Sequence, residues 1–166
     1  MTIELVITGG TIDKTYNELN GELGFNAAHS QLPKMLEQSR CSIDIHCHEL
    51  FQIDSLEMDD EHRQSILEYC QHCDSDKILI SHGTDTMPET AALLASHIND
   101  KTIVLFGAMI PYSIKGSDAL FNLGTAISAV QQLAAGCYIS MNGQIFDALK
   151  VNKNRNLGIF EEKSSE

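Results

Sequence analysis

The stretch Lys77-Ile78-Leu79-Ile80-Ser81-His82-Gly83-Thr84-Asp85-Thr86 joins a short apolar run to a polar loop that contains a glycine. The run 77–81 has the length and the composition of a strand that is buried on both faces. A second run of this kind, 102–106, follows a segment with helical periodicity at 86–98. A buried strand, a helix and another buried strand predict parallel pairing of the two strands.

The same alternation of strand-like and helix-like segments runs along most of the chain. The β-rich runs are 3–8, 42–48, 77–81, 102–106 and 137–141, and the helix-like segments lie near 29–38, 59–73, 86–98 and 117–133. This order predicts an α/β fold with a mostly parallel sheet sandwiched by helices. One domain is expected over residues 1–160, followed by a frayed tail at 161–166.

Two of the predicted helices carry start signals. Thr86 and Glu89 have the spacing of a capping box, and Pro88 falls in the first turn, where its missing N–H costs nothing. Acidic residues at 59–61 gather at the start of another helix, where the macrodipole favours negative charge.

Composition and charge limit the classes of partner. Of the 166 residues, 43% are hydrophobic and 20% are charged, which is typical of a packed globular domain. Eleven Lys and Arg against 23 Asp and Glu give a net charge of −12, so nucleic acid is not an expected partner. No stretch approaches the ~20 apolar residues of a membrane helix, so no membrane association is expected. The first strand begins without a basic and apolar leader, which favours a cytoplasmic location.

The cysteines favour structural thiols over a metal site. They are five in number and no export signal is visible, so reduced thiols are expected at Cys41, Cys47, Cys70, Cys73 and Cys137. Cys70 and Cys73 have CxxC spacing, and His46 and His48 lie upstream, so a zinc or redox site is the alternative. However, Cys70 ends a helical pattern, and the two histidines alternate with apolar residues as in a strand. No metal and no cofactor are therefore predicted.

The candidate site lies where the predicted strands end, because ligands of parallel α/β folds bind beyond the carboxyl ends of the strands. Four loops meet this condition, at 8–13, 54–58, 81–86 and 107–111, and they are rich in hydroxyls, glycines and carboxylates. The dinucleotide fingerprint and the phosphate-binding P-loop are both missing. Binding of an amide or a carboxylate is therefore favoured over binding of a nucleotide.

A hydroxyl nucleophile in these loops would need a base or a charged relay. Gly9 and Gly10 let the backbone approach a ligand and present the hydroxyl of Thr11. His82 is one candidate base, but a structural role in holding its loop is favoured, because it ends a strand beside a glycine. Lys153 is the other candidate, since a desolvated amine can accept a proton.

Several motifs occur in an order typical of one enzyme family. They are Thr-Gly-Gly-Thr-Ile at 8–12, His-Gly-Thr-Asp-Thr-Met at 82–87 with Glu89 and Thr90, and Gly-Ala-Met-x-Pro at 107–111. Ser-Asp-Ala at 117–119, Phe-Asn-Leu at 121–123 and Met-Asn-Gly at 141–143 continue the order. The chain thus resembles the bacterial-type L-asparaginase family over nearly residues 3–160. The resemblance covers only the family's larger N-terminal domain, which indicates a short-chain member lacking the C-terminal domain.

The resemblance implies an amidohydrolase that converts L-asparagine to L-aspartate and ammonia by covalent catalysis. The matched catalytic residues are Thr11 as the nucleophile, Thr84 with Asp85, and Lys153, whose charge Asp85 would balance. The matched substrate-binding residues are Ser55 for the α-carboxylate, Asp85 for the α-amino group and Ala108 for the amide, and Asp54, which precedes Ser55, is also expected among the substrate-binding residues. Asn152 and Asn154 stand where the family often has threonines. Lys101 is predicted to be a solvated residue at the start of the fourth strand, outside the relay.

The chain departs from the family pattern in the loop after Thr11. The family has a tyrosine further along this loop, whereas Tyr16 follows Thr11 by five residues. Asn20, Gly21 and Gly24 predict that the loop is mobile, as lid segments are. Tyr16 either orients Thr11, and then belongs to the catalytic residues, or is an ordinary packed aromatic.

The missing domain leaves more than one function open. In full-length relatives, a neighbour's C-terminal domain is expected to complete the pocket. A non-catalytic or weakly catalytic binder of an acidic amino acid or its amide is the alternative, but two threonines paired with a lysine favour catalysis. Glutamine is a second candidate substrate. Because the missing domain would leave apolar surface exposed, a homo-oligomer is expected, with a partner's loop over the site beside Tyr16 and Ser55.

Overall fold

The computed structural model describes residues 2–163. Its strands are β1 Ile3–Gly9, β2 Thr15–Tyr16, β3 Leu23–Gly24, β4 Ile45–Ile53, β5 Lys77–Ser81, β6 Thr102–Phe106, β7 Gly136–Met141, β8 Gln144–Asp147, β9 Val151–Asn154 and β10 Ile159–Glu162. Its helices are α1 Leu32–Gln38, α2 Asp60–His72, α3 Met87–His97 and α4 Ala119–Gln132, with a 3-10 turn at Thr11–Asp13. Within the described range, no helix is both long enough and apolar enough to cross a bilayer.

Six strands form the central sheet, in the order β4-β1-β5-β6-β7-β8. The first five in this order run parallel to their neighbours, and β8 pairs antiparallel with β7 at one edge. Two antiparallel hairpins, β2–β3 and β9–β10, stand apart from this sheet. The prediction of an α/β fold with a mostly parallel sheet is confirmed.

Helices cover both faces of the sheet, and successive residues of each strand point to opposite sides. On β1, Val6 packs in one cluster with α2 and α3, whereas Leu5 and Ile7 pack in a second cluster with α1 and α4. The central strands divide in the same way, with Ile78, Ile80, Ile103 and Leu105 on the first side and Leu79, Val104 and Phe106 on the second. Because both faces are buried, these strands need apolar residues at every position.

The predicted bounds hold for β5 and β6 residue for residue, but the bounds predicted for the second β-rich run are wrong. β4 covers Ile45–Ile53 instead of 42–48. Its pairing with β1 extends from Ile3 opposite Ile45 to Gly9 opposite Ile53, so the length of β1 sets the end of β4. Because polar residues interrupt the apolar pattern of β4, the sequence alone does not indicate the full length of the strand.

The start signals are correct for α2 and only partly correct for α3. Asp59 caps α2, and its carboxylate accepts the backbone N–H of His62 at 3.0 Å. Pro88 lies in the first turn of α3, as predicted. The capping role predicted for Thr86 is wrong, because its hydroxyl donates to the carbonyl of Ser55 at 2.8 Å. A contact between two loops therefore replaces the local cap.

The first helix begins at Leu32, three residues later than predicted. The buried carboxylate of Asp13 accepts the hydroxyl of Ser30 at 2.9 Å and the backbone N–H of Gln31 at 2.7 Å. The residues just before the helix therefore form hydrogen bonds with the loop after β1, and the helix begins after them.

At the C-terminal end, Glu161 and Glu162 belong to β10 and pair with β9, although they were expected to begin the frayed tail. Residues 164–166 of that predicted tail lie outside the described residues.

Candidate active site

Glycines bring three of the predicted loops into direct contact at the carboxyl edge of the sheet. A Cβ on Gly10, which has φ +84°, would lie 2.5 Å from the backbone nitrogen of Gly83. A Cβ on Gly83 would lie 2.5 Å from the hydroxyl oxygen of Ser55. Likewise, a Cβ on Gly9 would lie 2.5 Å from the backbone nitrogen of Ile53. These glycines therefore allow close packing of the loops after β1, β4 and β5.

The structure brings three of the predicted catalytic residues together. Lys153 Nζ donates to Thr84 Oγ1 and to Asp85 Oδ1, each at 2.7 Å. The Lys153 side chain is only 7% exposed, so its ammonium is held by these two partners in a largely desolvated place. Arg155 adds a second cation, since its guanidinium donates to the Asp85 carbonyl at 3.3 Å. A hydroxyl beside a buried ammonium can carry negative charge at low cost.

The loop after β6 packs against this group. A Cβ on Gly107 would lie 3.3 Å from Thr84 Cγ2. The Thr84 hydroxyl also contacts Met109 Sδ at 3.6 Å. Ala108, between these two residues, is buried. The predicted amide-contacting residue thus lies beside the Thr84 end of the site.

Two residues at the start of α4 hold the loop after β6 in place. The Asp118 carboxylate accepts the backbone N–H of Met109 at 3.0 Å. The Asn122 side chain donates to the Gly107 carbonyl and accepts the N–H of Asn142, each at 3.0 Å. Both residues belong to motifs of the sequence, but no role was predicted for them. Their i, i+4 spacing, which places them on one helix face, is the signal that could have found them.

Thr11 lies in the 3-10 turn that follows Gly10 and is partly buried. The turn is closed by backbone hydrogen bonds from Asp13 N to Gly10 O at 3.1 Å and from Lys14 N to Thr11 O at 3.2 Å. The contact between Gly10 and Gly83 puts this turn next to the loop of Thr84. Within residues 2–163, Lys153 contacts the hydroxyl of Thr84 and not that of Thr11.

Ser55 and Asp54 lie in the loop after β4, which contacts the loop of Thr84. Ser55 is fully buried, and its hydroxyl accepts the N–H of Thr86 at 3.4 Å. Asp54 forms an ion pair with Lys14, for which no role was predicted from the sequence. Burial opposes ionisation of Asp54, but the hydrogen bond from Lys14 and the nearby charge of Lys153 hold the pKa of its carboxyl below the usual range.

Tyr16 is 59% exposed on the hairpin β2–β3. Its hydroxyl oxygen lies 3.8 Å from the position that a Cβ would take on Gly21, within the same hairpin. Among the described residues, Tyr16 forms no hydrogen bond with Thr11. Its role in orienting Thr11, and the mobility of the hairpin, stay predictions.

His82 has the structural role that the sequence favoured. It is completely buried, with Nδ1 donating to the Gly83 carbonyl at 2.7 Å and Nε2 accepting the hydroxyl of Thr90 at 2.8 Å. Burial lowers the pKa of His82 to about 4. A neutral imidazole with both nitrogens engaged fixes the loop and is not free to act as a base.

The buried His82 predicts a loss of stability in mild acid. An unfolded histidine titrates near its ordinary value of 6.5, so between pH 6.5 and about 4 only the unfolded chain takes up this proton. The stabilisation is complete above pH 6.5 and falls by on the order of 3 kcal/mol as the pH approaches 4. Urea unfolding at several pH values should show a smaller decrease for His82→Gln than for the wild type. An identical decrease in both proteins would contradict the assignment.

Lys101 precedes β6 as expected, but the prediction that it is solvated is wrong. Only 8% of the residue is exposed, and Nζ donates to the carbonyl of Cys73 at the end of α2. The free carbonyls and the dipole at a helix C-terminus favour a cation there. Lys101 therefore has a structural partner, the carbonyl of Cys73, and among the described residues it shares no partner with Lys153.

The thiols fit the structural interpretation. Cys70 is fully buried in the core, and burial raises the pKa of its thiol to about 12. His46 extends from β4 and contacts the carboxylate of Glu4 at 2.9 Å. Within residues 2–163, no three His, Cys, Asp or Glu side chains are grouped closely enough to hold a metal ion.

The described residues thus form an α/β domain with hydroxyl, lysine and carboxylate groups at the carboxyl edge of its sheet. The family model described as "Asparaginase, N-terminal" matches residues 2–161. The chain therefore belongs to the asparaginase family.

Individual relatives are similar over nearly all of this chain. A glutaminase-asparaginase of Pseudomonas aeruginosa is 28% identical over 167 residues, which cover 93% of this chain and 46% of that protein. A probable periplasmic L-asparaginase of Haemophilus influenzae is 30% identical over 165 residues, covering 91% and 46%. The thermostable L-asparaginase of Thermococcus kodakarensis has a similar structure, with a TM-score of 0.85 and 27% identity over 98% of this chain and 51% of that one. The chain spans about half the length of these relatives.

Proposed function

We propose that the chain hydrolyses the side-chain amide of L-asparagine to L-aspartate and ammonia, with Thr11 as the nucleophile. The observation that supports this most strongly is the contact of Lys153 with Thr84 Oγ1 and Asp85 Oδ1 at 2.7 Å. A site that only binds an amino acid does not need a desolvated ammonium on a hydroxyl. The turn of Thr11 lies against the same loop through the contact of Gly10 with Gly83.

In the first step, Thr11 Oγ attacks the carbon of the substrate amide. The C–N bond then breaks, an ester to Thr11 forms, and the proton of the threonine leaves with the ammonia. Backbone N–H groups near Thr84 and Ala108 are the proposed donors to the oxyanion. Removing one such donor typically lowers the rate by ~10²–10³.

In the second step, a water molecule attacks the ester carbon. Lys153 stabilises negative charge on Thr84 Oγ1 while that hydroxyl takes part in transferring the proton of the water. Asp85 balances and orients the lysine. The ester bond breaks, Thr11 recovers its proton and L-aspartate leaves.

Ser55 is proposed to bind the α-carboxylate of the substrate, with Asp54 as a neighbouring residue of the same binding loop. Asp85 is proposed to bind the α-amino group and Ala108 the amide. The Asp85 side chain is one-third exposed, which leaves room for a contact with a substrate ammonium beside Lys153. Glutamine is the second proposed substrate, and the name of the Pseudomonas relative, a glutaminase-asparaginase, supports it.

The alternative is a binder of an acidic amino acid or its amide, with weak or no catalysis. The observation that favours it is that, among the described residues, Lys153 contacts the hydroxyl of Thr84 and not that of the proposed nucleophile Thr11. Ammonia release measured with asparagine, glutamine and longer amides tests both functions. Steady turnover supports the amidase, whereas calorimetric binding of L-aspartate without any turnover supports the binder.

We further propose a homo-oligomer, most simply a twofold dimer, in which a partner's loop covers the site beside Tyr16 and Ser55. Apolar side chains are exposed close to the site, at Met109, Ile110, Phe121 and Leu157. Light scattering at assay concentrations should show a dimer or larger species. A monomer with full activity would contradict this proposal, since the chain would then complete the pocket alone.

A cytoplasmic location is also part of the proposal. The five cysteines are all unpaired thiols, which suits a reducing compartment. The name of the Haemophilus relative assigns that protein to the periplasm. Fractionation of cells that produce the protein tests the location directly.

A further inference from the structure

Five charged side chains alternate in sign along the candidate site: Lys14, Asp54, Lys153, Asp85 and Arg155. Lys14 pairs with Asp54, Lys153 contacts Asp85, and Arg155 Nε lies 4.0 Å from the same Asp85 oxygen. The contact of the Thr86 hydroxyl with the Ser55 carbonyl at 2.8 Å joins the loop of Asp85 to the loop of Asp54. Three cations and two carboxylates leave one excess positive charge here, in a chain whose net charge is −12. The site is therefore suited to a ligand that carries a carboxylate.

Lys14 is the cation nearest in sequence to the proposed nucleophile. It follows Thr11 by three residues, at the end of the 3-10 turn, and Ser113 Oγ donates to its carbonyl at 2.9 Å. Its side chain is 22% exposed, and Nζ lies 5.9 Å from the ring centre of Phe25. The ammonium is thus held between the turn of Thr11 and the loop that carries Ser55.

The ammonium of Lys14 has unused hydrogen-bonding capacity. A lysine has three N–H donors. Within the described part of the chain, Nζ of Lys14 donates to Asp54 alone. Nζ of Lys77, in contrast, donates to Thr102 Oγ1 and to the Leu133 carbonyl, each at 3.0 Å. The ammonium of Lys77 is used in contacts within the fold, whereas that of Lys14 can donate a hydrogen bond to a second, anionic partner.

We propose that Lys14 binds the α-carboxylate of the amino-acid substrate, and that Asp54 is the counter-ion that holds its ammonium in place between turnovers. This inference rests on the proposed function. Thr86, the neighbour of Asp85, contacts the Ser55 carbonyl, and Asp54, the neighbour of Ser55, pairs with Lys14. With the α-ammonium on Asp85, the α-carboxylate on the same carbon would therefore face Ser55 and Lys14. Hydrogen bonds between ammonium and carboxylate are among the stronger ones in proteins. Lys14 thereby makes the site selective for amides that carry an α-carboxylate.

The test compares two substrates in the variant Lys14→Met. L-Asparagine carries the α-carboxylate, and 3-aminopropanamide is the same molecule without it. For asparagine, kcat/KM should fall by about ten- to hundredfold, mainly through KM, because a hydrogen bond to a charged group is lost. For 3-aminopropanamide, kcat/KM should be unchanged. Lys14→Arg should retain most of the asparagine activity, and Lys150→Met, an exposed lysine outside the site, should affect neither substrate.

The outcomes distinguish a failure of the inference about Lys14 from a failure of the proposed function. Equal losses with both substrates would show that Lys14 only holds its loop, and an unchanged KM for asparagine would show that it has no contact; either result overturns the inference. If the wild type releases no ammonia, the proposed function fails, and calorimetry with L-aspartate and β-alanine then decides. Selective loss of L-aspartate affinity in Lys14→Met supports the inference. Equal affinity in both proteins, or no binding by the wild type, overturns it.

Discussion

Replacing Thr11 with alanine is expected to abolish ammonia release from L-asparagine and to leave the fold intact. Thr11 lies in a short turn beyond β1 and is not part of either hydrophobic cluster. The substitution removes the oxygen that would form the ester, so the rate should fall by at least ~10³. A continuous ammonia assay measures the rate, and thermal unfolding measures the fold.

Three further observations make this prediction specific. Thr11→Ser keeps a hydroxyl and should retain measurable turnover. Thr125→Ala removes a hydroxyl that donates to the Phe121 carbonyl on α4, and its rate should equal that of the wild type. Mass spectrometry of acid-quenched enzyme should find the ester on Thr11. An ester on Thr84, or more than a few per cent of the rate in Thr11→Ala, would reduce Thr11 to a binding role.

The parts of the fold that the sequence predicts well are those in which one strand is buried on both faces. β5 and β6 are continuous apolar runs because helices cover both sides of them, so their bounds can be predicted from hydrophobicity alone. β4 is the opposite case. Its polar residues lie near an edge of the sheet, and its end is set by pairing with β1, which no local pattern reveals.

Short strands and caps were missed because other parts of the chain decide them. β9 contains Asn152, Lys153 and Asn154, three residues that do not favour strands, and it is held by pairing with β10. Thr86 has the right spacing for a cap, but its hydroxyl is used by the Ser55 carbonyl, 31 residues earlier in the chain. Local propensity could not anticipate either outcome.

The place of the candidate site could be predicted, since parallel strands present their carboxyl ends at one edge. The chemistry of its amine made Lys153 a candidate, and the resemblance to a family placed it in the relay, but its contact with Thr84 spans 69 positions of the sequence, which no local pattern reveals. The ion pair of Lys14 with Asp54 and the burial of Lys101 were not predictable. The sequence does not distinguish a solvated charged side chain from a paired one, because the partner is brought close only when the chain folds.

Replacing Lys153 with methionine is expected to lower the rate by ~10²–10⁴ with a mild effect on KM. Methionine has a similar length, so packing in this buried place is largely preserved, but the ammonium that contacts Thr84 Oγ1 and Asp85 Oδ1 is lost. Asp85 would then keep only the more distant Arg155 as a cationic partner, at 4.0 Å. Because the lysine acts in proton transfer, kcat and kcat/KM should decrease together.

The matched control for this variant is Lys150→Met, which changes an exposed lysine three residues earlier and should leave the rate unaltered. Lys101→Met is a different comparison, because Lys101 is buried against the carbonyl of Cys73 and its loss should lower the melting temperature while kcat of the folded enzyme is kept. If either control lost as much kcat as Lys153→Met, charge in general and not the contact with Thr84 would explain the effect. A large rise in KM with an unchanged kcat would instead assign Lys153 to substrate binding, through its hold on Asp85.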